Sequence, residues 1–286
     1  MRILLIGRTG QLGGDLLRNG AAHELIAPSR DELDINRTRE MRAAVAHYRP
    51  DVVVNCAAFH NVPLCEEQPE QAFRTNCIAL RDLAAACRDH RVRLVTFSSD
   101  YVFSGDKRSP YSEDDLPHPL QVYGITRLAG EHAALATAPE HAVVIRTCGL
   151  YGASGATSKG GNFVDGRVAE ARAGKTIEMA VEQTVAPTST DDLSKAVLAL
   201  LLHPALTPGI YHLVNEGQCS WYELTMAIVQ ILGLSAKVIP VDRGGKTGAM
   251  RRPLYSVLDN RKARHLGVTL PPWRDALERY LRRRYG

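Results

Sequence analysis

Along the first half of the chain, short apolar runs alternate with longer stretches in which apolar residues recur every three or four positions. The runs cover residues 3–6, 25–27, 52–54, 94–97 and 143–145 and are built mainly of Val, Ile and Leu. Short runs of that composition suit strands buried on both faces. Between them, residues 11–19, 37–48, 69–90 and 119–138 carry helical spacing. Strand and helix in alternation predict an α/β fold with a Rossmann-type, doubly wound parallel sheet. After about residue 150 the texture changes. Residues 151–162 are rich in Gly, Ser and Ala and predict a loop. A helix at 163–173, a strand at 177–180, a helix at 190–202, a strand at 210–214 and a helix at 220–232 follow. Ser220 with Glu223 three positions on is a capping-box pattern for the last of these. Residues 243–252 read as a mobile loop, and residues 273–285 as an amphipathic C-terminal segment.

Composition narrows the class. The 286 residues, 45% hydrophobic, suit one large domain or two moderate ones, at roughly 150 residues each. No apolar run approaches the ~18 residues that span a bilayer. The apolar start Arg2-Ile3-Leu4-Leu5-Ile6 stops at Gly7, too short for a signal peptide and without a small-residue cleavage site. A cytoplasmic protein with no membrane partner is expected. Cysteines 56, 65, 77, 87, 148 and 219 form no C-x-x-C pair, and the ten histidines show no ligand pattern. Reduced, buried thiols and no metal site are expected. The net charge is +4, and Arg282-Arg283-Arg284 closes the chain's last amphipathic segment. A solvated helix end, where cations complement the helix dipole, accounts for that cluster better than a nucleic-acid contact.

Candidate chemistry starts at the first strand–helix junction, Gly7-Arg8-Thr9-Gly10-Gln11-Leu12-Gly13. Glycines at this G-x-x-G-x-x-G spacing allow a sharp turn and let a pyrophosphate approach the positive N-terminus of the helix. The spacing differs from the G-x-G-x-x-G of many dehydrogenases, but its position points to a dinucleotide. The end of the second strand selects the cofactor. A carboxylate there would bind the 2′-hydroxyl of NAD, whereas the chain reads Ala27-Pro28-Ser29-Arg30. Ser29 and Arg30, with help from Arg8, can hydrogen-bond a 2′-phosphate, so NADPH is expected over NADH. The competing reading of Arg30 is a loop cap. Asp34 and Ile35 could meet the adenine, one by hydrogen bond and one by packing. A dinucleotide domain is thus expected over 1–150, joined by elements from about 181–214. A smaller C-terminal α/β substrate-binding lobe is expected over 151–286.

The fourth run ends in Phe97-Ser98-Ser99-Asp100-Tyr101-Val102-Phe103, and Tyr123-Gly124-Ile125-Thr126-Arg127-Leu128-Ala129-Gly130-Glu131 follows. With these residues the chain resembles the extended short-chain dehydrogenase/reductases, and within them the dTDP-4-dehydrorhamnose reductase family of sugar-nucleotide-binding proteins. The likeness covers nearly the whole length. It includes Asn55-Cys56-Ala57-Ala58-Phe59, Asn76, Arg146-Thr147, Leu150-Tyr151-Gly152, Asn162-Phe163-Val164 and Pro187-Thr188. It continues through Gly209-Ile210-Tyr211-His212-Leu213, Cys219-Ser220-Trp221-Tyr222, Arg251-Arg252-Pro253 and Ser256-Val257-Leu258. The resemblance implies an NADPH-dependent 4-ketoreductase of a nucleotide-activated 4-keto-6-deoxy sugar, and it leaves room for a homodimer. Tyr123 would donate the proton, Ser99 would polarise the carbonyl, and Arg127 would anchor the cofactor and lower the Tyr123 pKa from ~10. Cys56, Ala57, Ala58, Asn76, Tyr123 and Arg127 would join the glycine turn at the cofactor. Ser99, Asp100, Tyr101, Gly149 and Arg252 would meet the substrate, Arg252 at its diphosphate.

Three departures from the family pattern matter. Tyr-x-x-x-Lys has become Tyr123-x-x-x-Arg127, which keeps the charge one helical turn away but cannot pass on a proton. Ser-Trp after Arg-Thr has become Cys148-Gly149, which removes an aromatic wall, and an Asp-Lys pair after Phe59 has become Pro63-Leu64. The last two suggest a substrate other than the usual 4-keto-rhamnose precursor. The first leaves open a non-catalytic NADP-binding subunit resembling the regulatory β-subunit of methionine adenosyltransferase. An epimerase or dehydratase is the weaker reading, since only Asp100 stands beside Ser99 where such chemistry uses Glu or Cys.

Overall fold

The structure, a computed structural model, describes residues 1–154, 161–247 and 250–286. The part of the expected 151–162 loop at 155–160, and residues 248–249 of the expected 243–252 loop, lie outside the described residues. β1 (Arg2–Ile6) leads into α1 (Gln11–Asn19), followed by β2 (Glu24–Ile26), α2 (Thr38–Tyr48) and β3 (Val52–Asn55). Next come α3 (Val62–Glu67), α4 (Pro69–Phe73) and α5 (Ala79–Asp89), the last two joined by a π-helical turn at Arg74–Ile78. β4 (Arg93–Ser99) runs into a 3-10 turn (Asp100–Val102), then α6 (Val122–Thr137) and β5 (Ala142–Thr147). The second half holds β6 (Leu150–Tyr151), α7 (Phe163–Arg172), β7 (Ile177–Ala180), β8 (Thr184–Val185), β9 (Thr188–Ser189), α8 (Thr190–Leu202) and β10 (Gly209–His212). It ends with β11 (Cys219–Ser220), α9 (Trp221–Ile231), β12 (Val238–Val241), β13 (Lys246–Thr247), β14 (Met250–Arg251), α10 (Arg261–His265) and α11 (Trp273–Tyr285).

The main sheet is six-stranded, in the order β10-β5-β4-β3-β1-β2, and every neighbouring pair is parallel. Alternation along the strands divides its two faces. Ile3, Leu5, Val52, Val54 and Val95 pack with Leu12 and Leu16 of α1 and with Leu193 and Val197 of α8. Leu4, Ile6, Val53 and Leu94 pack with Met41 and Val45 of α2, Leu83 of α5 and Ala134 of α6. Each such side chain, fully buried, contributes about 1.5–3 kcal/mol. Strand order reverses between β1 and β3, so a crevice opens at their carboxyl ends, where doubly wound sheets bind ligands.

α8 and β10 come from the second half, yet one covers the sheet beside α1 and the other forms its sixth strand. Short ladders complete that half: β7 with β12 and β6 with β9 parallel, β8 with β11 antiparallel. Ser220 and Glu223 form the capping box that the spacing at the head of α9 predicts. The loop expected at 243–252 contains an antiparallel pair, β13 with β14. Two elements escape the periodicity for identifiable reasons. α3 is six residues long with Pro63 in its first turn, and β12 carries Pro240. Among the described residues no helix is long and apolar enough to cross a membrane.

Candidate active site

The glycine turn lies at the carboxyl end of β1. Gly7 adopts φ +88°, and a Cβ on Gly13 would sit 2.2 Å from the Gly7 carbonyl oxygen, so α1 starts closer to the turn than any side chain allows. Among the described residues no side chain caps the N-terminus of α1, and no acid occupies its first turn. Its N–H groups are therefore left for an anion. Across the crevice, Asn55 Oδ1 accepts from Ala57 N at 3.1 Å and shapes the Cys56-Ala57-Ala58 strip facing Gly7. Burial pushes the Cys56 thiol pKa up, so it stays neutral. Asn76, in the π turn, is buried. Its Oδ1 accepts from Phe59 N and its Nδ2 donates to Phe59 O and Thr126 Oγ1. It braces the end of the strip through Phe59.

The end of β2 is more occupied than its local sequence suggests. Arg8 donates from Nη1 to Ala27 O at 2.8 Å, which brings a guanidinium over the strand end. Glu32 folds back so that its Oε2 accepts the Ser29 N–H at 2.6 Å, while Glu32 N donates to Ser29 Oγ. A carboxylate therefore stands where the segment 27–30 contains none, its pKa lowered by these bonds. Arg30 is exposed and paired with Asp34. Asp34 also accepts from Asn36, which closes its own turn. Ile35 is buried in the core with Leu4 and Ile6.

Tyr123, Arg127 and Ser99 converge at the carboxyl end of β4. The meeting depends on Gly124: a Cβ there would lie 2.1 Å from the Tyr101 carbonyl, so α6 can start against the 3-10 turn. Gln121 caps α6 by accepting from Gly124 N, and Glu66 accepts from Val122 N. The Ser99 hydroxyl and the Arg127 guanidinium each draw the Tyr123 phenol down, but burial outweighs them and its pKa stands above the usual tyrosine value. Arg127 is buried, and its Nε has no hydrogen-bond partner among the described residues. A buried, unpaired guanidinium nitrogen is costly, and one beside the proton donor marks a place for a polar ligand. α6 is fixed from below by a bidentate pair, Arg146 Nε and Nη2 to the two Glu131 oxygens at 3.0 and 2.7 Å, both residues about 1–2% exposed.

The remaining predicted residues gather on the far side. Arg252 Nη1 donates to the Tyr101 hydroxyl at 3.2 Å, bringing the segment after β14 onto the 3-10 turn. Arg252 Nε is also buried, without a hydrogen-bond partner among the described residues. Gly149 lies beside Trp221, whose Cη2 is 3.6 Å from where a Cβ on Gly149 would sit. The aromatic wall expected to be missing is thus supplied in part from α9. Asp100 lies behind Ser99 rather than on the open surface. It is 3% exposed, takes hydrogen bonds from Ser99 and Cys148, and is also bonded by Ser256. Sequence reasoning missed Glu32, the Glu131–Arg146 pair, Trp221 and Ser256 as parts of this site. Glu131, Arg146, Trp221 and Ser256 all stood within the resemblance, but only the fold gives them roles.

The glycine cradle, the uncapped α1 and the orphan Arg127 nitrogen fit a dinucleotide. Comparison with known proteins agrees. The model of the RmlD substrate binding domain matches residues 1–285. The chain is 37% identical to the spore coat polysaccharide biosynthesis protein SpsK of Bacillus subtilis, over 99% of this chain and 98% of that protein. It is 36% identical to a dTDP-4-keto-6-deoxy-D-glucose reductase of Streptomyces niveus, over 96% and 95%. A solved dTDP-4-dehydrorhamnose reductase of Bacillus anthracis in complex with NADP superposes with a TM-score of 0.91 at 30% identity, over 99% of both chains. The chain therefore belongs to the RmlD substrate-binding-domain family.

Proposed function

We propose that the protein is an NADPH-dependent 4-ketoreductase of a dTDP-linked 4-keto-6-deoxy sugar, at work in cytoplasmic deoxysugar synthesis. One observation carries the reading: Tyr123, Ser99 and the unpaired Arg127 Nε converge at the carboxyl end of β4, in the sheet whose β1 ends in the glycine turn. Residues 1–150, with α8 and β10, hold the cofactor, and the remainder of the second half holds the sugar nucleotide. When bound, the reduced nicotinamide supplies a hydride. Gly7, Gly10, Gln11, Leu12 and Gly13 hold the pyrophosphate, while Arg8, with Ser29 and Arg30, faces the 2′-phosphate. Arg127 holds the nicotinamide ribose through its free nitrogen. Tyr123 gives its proton to the sugar oxygen, and Ser99 donates to the same oxygen as charge develops there. Arg127 stabilises the phenolate left behind, the direction in which it already acts on Tyr123. Arg252 and Tyr101 take the diphosphate. Cys148-Gly149 and Pro63-Leu64 favour a sugar other than the rhamnose precursor.

The test is NADPH oxidation against a panel of dTDP-, GDP- and CDP-linked 4-keto-6-deoxy sugars. Turnover with a dTDP-linked member is expected. Tight NADPH binding with no turnover on any member would instead return the non-catalytic subunit.

A further inference from the structure

Ser99 has more neighbours than its hydroxyl can serve in one arrangement. Its Oγ accepts from Tyr101 N at 3.2 Å, lies 2.8 Å from Asp100 Oδ1 and faces the Tyr123 phenol. A hydroxyl has one proton and two lone pairs. With Tyr101 N–H on one lone pair, one proton and one lone pair remain for Asp100 and the reacting side together. If Asp100 is ionised, the serine's proton is held by the carboxylate, and Ser99 can only accept from Tyr123. If Asp100 is protonated, it donates to Ser99, and Ser99 donates onward to Tyr123 or to a substrate oxygen. The protonation state of Asp100 therefore sets the direction of the chain.

Arg127 closes one route for recharging Tyr123. Once Tyr123 has given up its proton, something must replace it, and a guanidinium stays protonated at any working pH. Asp100 is placed to do so. It is buried, its oxygens meet only Ser99, Cys148 and Ser256 as side chains, and it forms no ion pair among the described residues. The titratable groups around it are the Cys148 thiol and the Tyr101 and Tyr123 phenols. The cations Arg252 and Arg127 act on those two phenols. Burial raises the Asp100 pKa above the usual carboxylate range, which lets it hold a proton.

Resting on the roles given above to Tyr123 and Ser99, we propose that Asp100 is the proton reservoir that recharges Tyr123 through the Ser99 hydroxyl, in place of a relay through residue 127. In each turnover the carbonyl carbon gains a hydride, with its electron pair, from the reduced nicotinamide, and the carbonyl oxygen gains the Tyr123 proton. The phenolate then takes the Ser99 proton, and Ser99 takes one from the Asp100 carboxyl. Asp100 is left as carboxylate and regains a proton from water admitted to the cleft after product leaves. The sum is one alcohol and one oxidised cofactor for each ketone, reduced cofactor and proton.

Asp100→Asn tests this, because the amide can donate to Ser99 from Nδ2 as the protonated carboxyl does, but has no acidic proton to give. With NADPH and the active dTDP-linked ketone, the first turnover in stopped flow is expected at near the wild-type rate. Steady turnover should then fall about tenfold to a hundredfold, with KM within about twofold. Wild-type kcat should decline as pH rises through the titration of Asp100, and the variant should lose that limb. Arg127→Lys in the Asp100→Asn background should restore steady turnover, since an ammonium can release a proton. Wild-type steady turnover in Asp100→Asn, or a first turnover slowed as much as the later ones with no rescue by Arg127→Lys, would overturn the relay. If Asp100→Asn does not fold, a proton inventory in mixed H₂O and D₂O on the wild type decides: a bowed curve is expected, and a straight one overturns it. No NADPH oxidation by the wild type on any sugar nucleotide would instead remove the reductase reading itself, and the relay with it.

Discussion

The two sides of the cleft are built in opposite ways. The cofactor side is nearly continuous in sequence: residues 7–13 form the turn, residues 56–58 face it, and both follow directly from strands of the sheet. The substrate side is assembled from distant pieces. Asp100 and Tyr101 from the turn after β4, Cys148 and Gly149 after β5, Trp221 from α9 and Arg252 and Ser256 near the end of the chain meet there. A contiguous motif is held by local backbone geometry and tolerates little change. An assembled wall depends on the packing beneath it and can vary residue by residue, as Cys148-Gly149 illustrates.

Breaking that packing should have the largest effect. Arg146→Met leaves Glu131 buried without its partner, which costs about 3–5 kcal/mol. Thermal or denaturant unfolding should show the loss, and a second change, Glu131→Leu, should recover much of it. Unchanged stability in Arg146→Met would mean the pair does not anchor α6. Gly13→Val attacks the other side alone. Its side chain would meet the Gly7 carbonyl, so NADPH affinity should fall at least about tenfold while the unfolding midpoint moves less than in Arg146→Met.

His212, beneath the substrate side, offers a pH test. Burial, with Arg146 nearby, lowers its pKa to about 3. The unfolded chain takes up a proton near pH 6.5 and the folded chain does not until near 3. Stability is therefore full above about 6.5 and falls between those values, by up to about 1.4 kcal/mol per pH unit. His212→Asn should flatten unfolding free energy against pH in that window; an unaltered slope would assign it to other groups. The smallest effect concerns Glu32. Replacing its carboxylate beside Ser29 and Arg8 with an amide, Glu32→Gln, should raise the preference for NADPH over NADH several-fold in binding titrations. A fall in that preference would mean that Glu32 organises the phosphate site instead of opposing it.

This contrast also explains what could be read from the chain. The buried strands 3–6 and 52–54 have one environment on both faces, so composition alone reveals them. The glycine spacing reveals the turn because few other residues fit there. Ser99, Tyr123 and Arg127 were legible through the resemblance, and helical spacing put the last two on one face. Glu32 has no signal in residues 27–30, because its carboxylate reaches the strand end by folding back over three residues. Asp100 reads as a pocket residue until the strand direction turns it behind Ser99. Trp221 and Ser256 have no local signal for the site at all, since their neighbours are set by the way the second half closes on the first.

The most direct test of the account compares Tyr123→Phe with the wild type in two measurements on the same samples: NADPH binding, and NADPH oxidation with the dTDP-linked 4-keto-6-deoxy sugar that the wild type reduces. Binding within about threefold of wild type is expected, with turnover lower by about a thousandfold. Turnover close to wild type in Tyr123→Phe would contradict it.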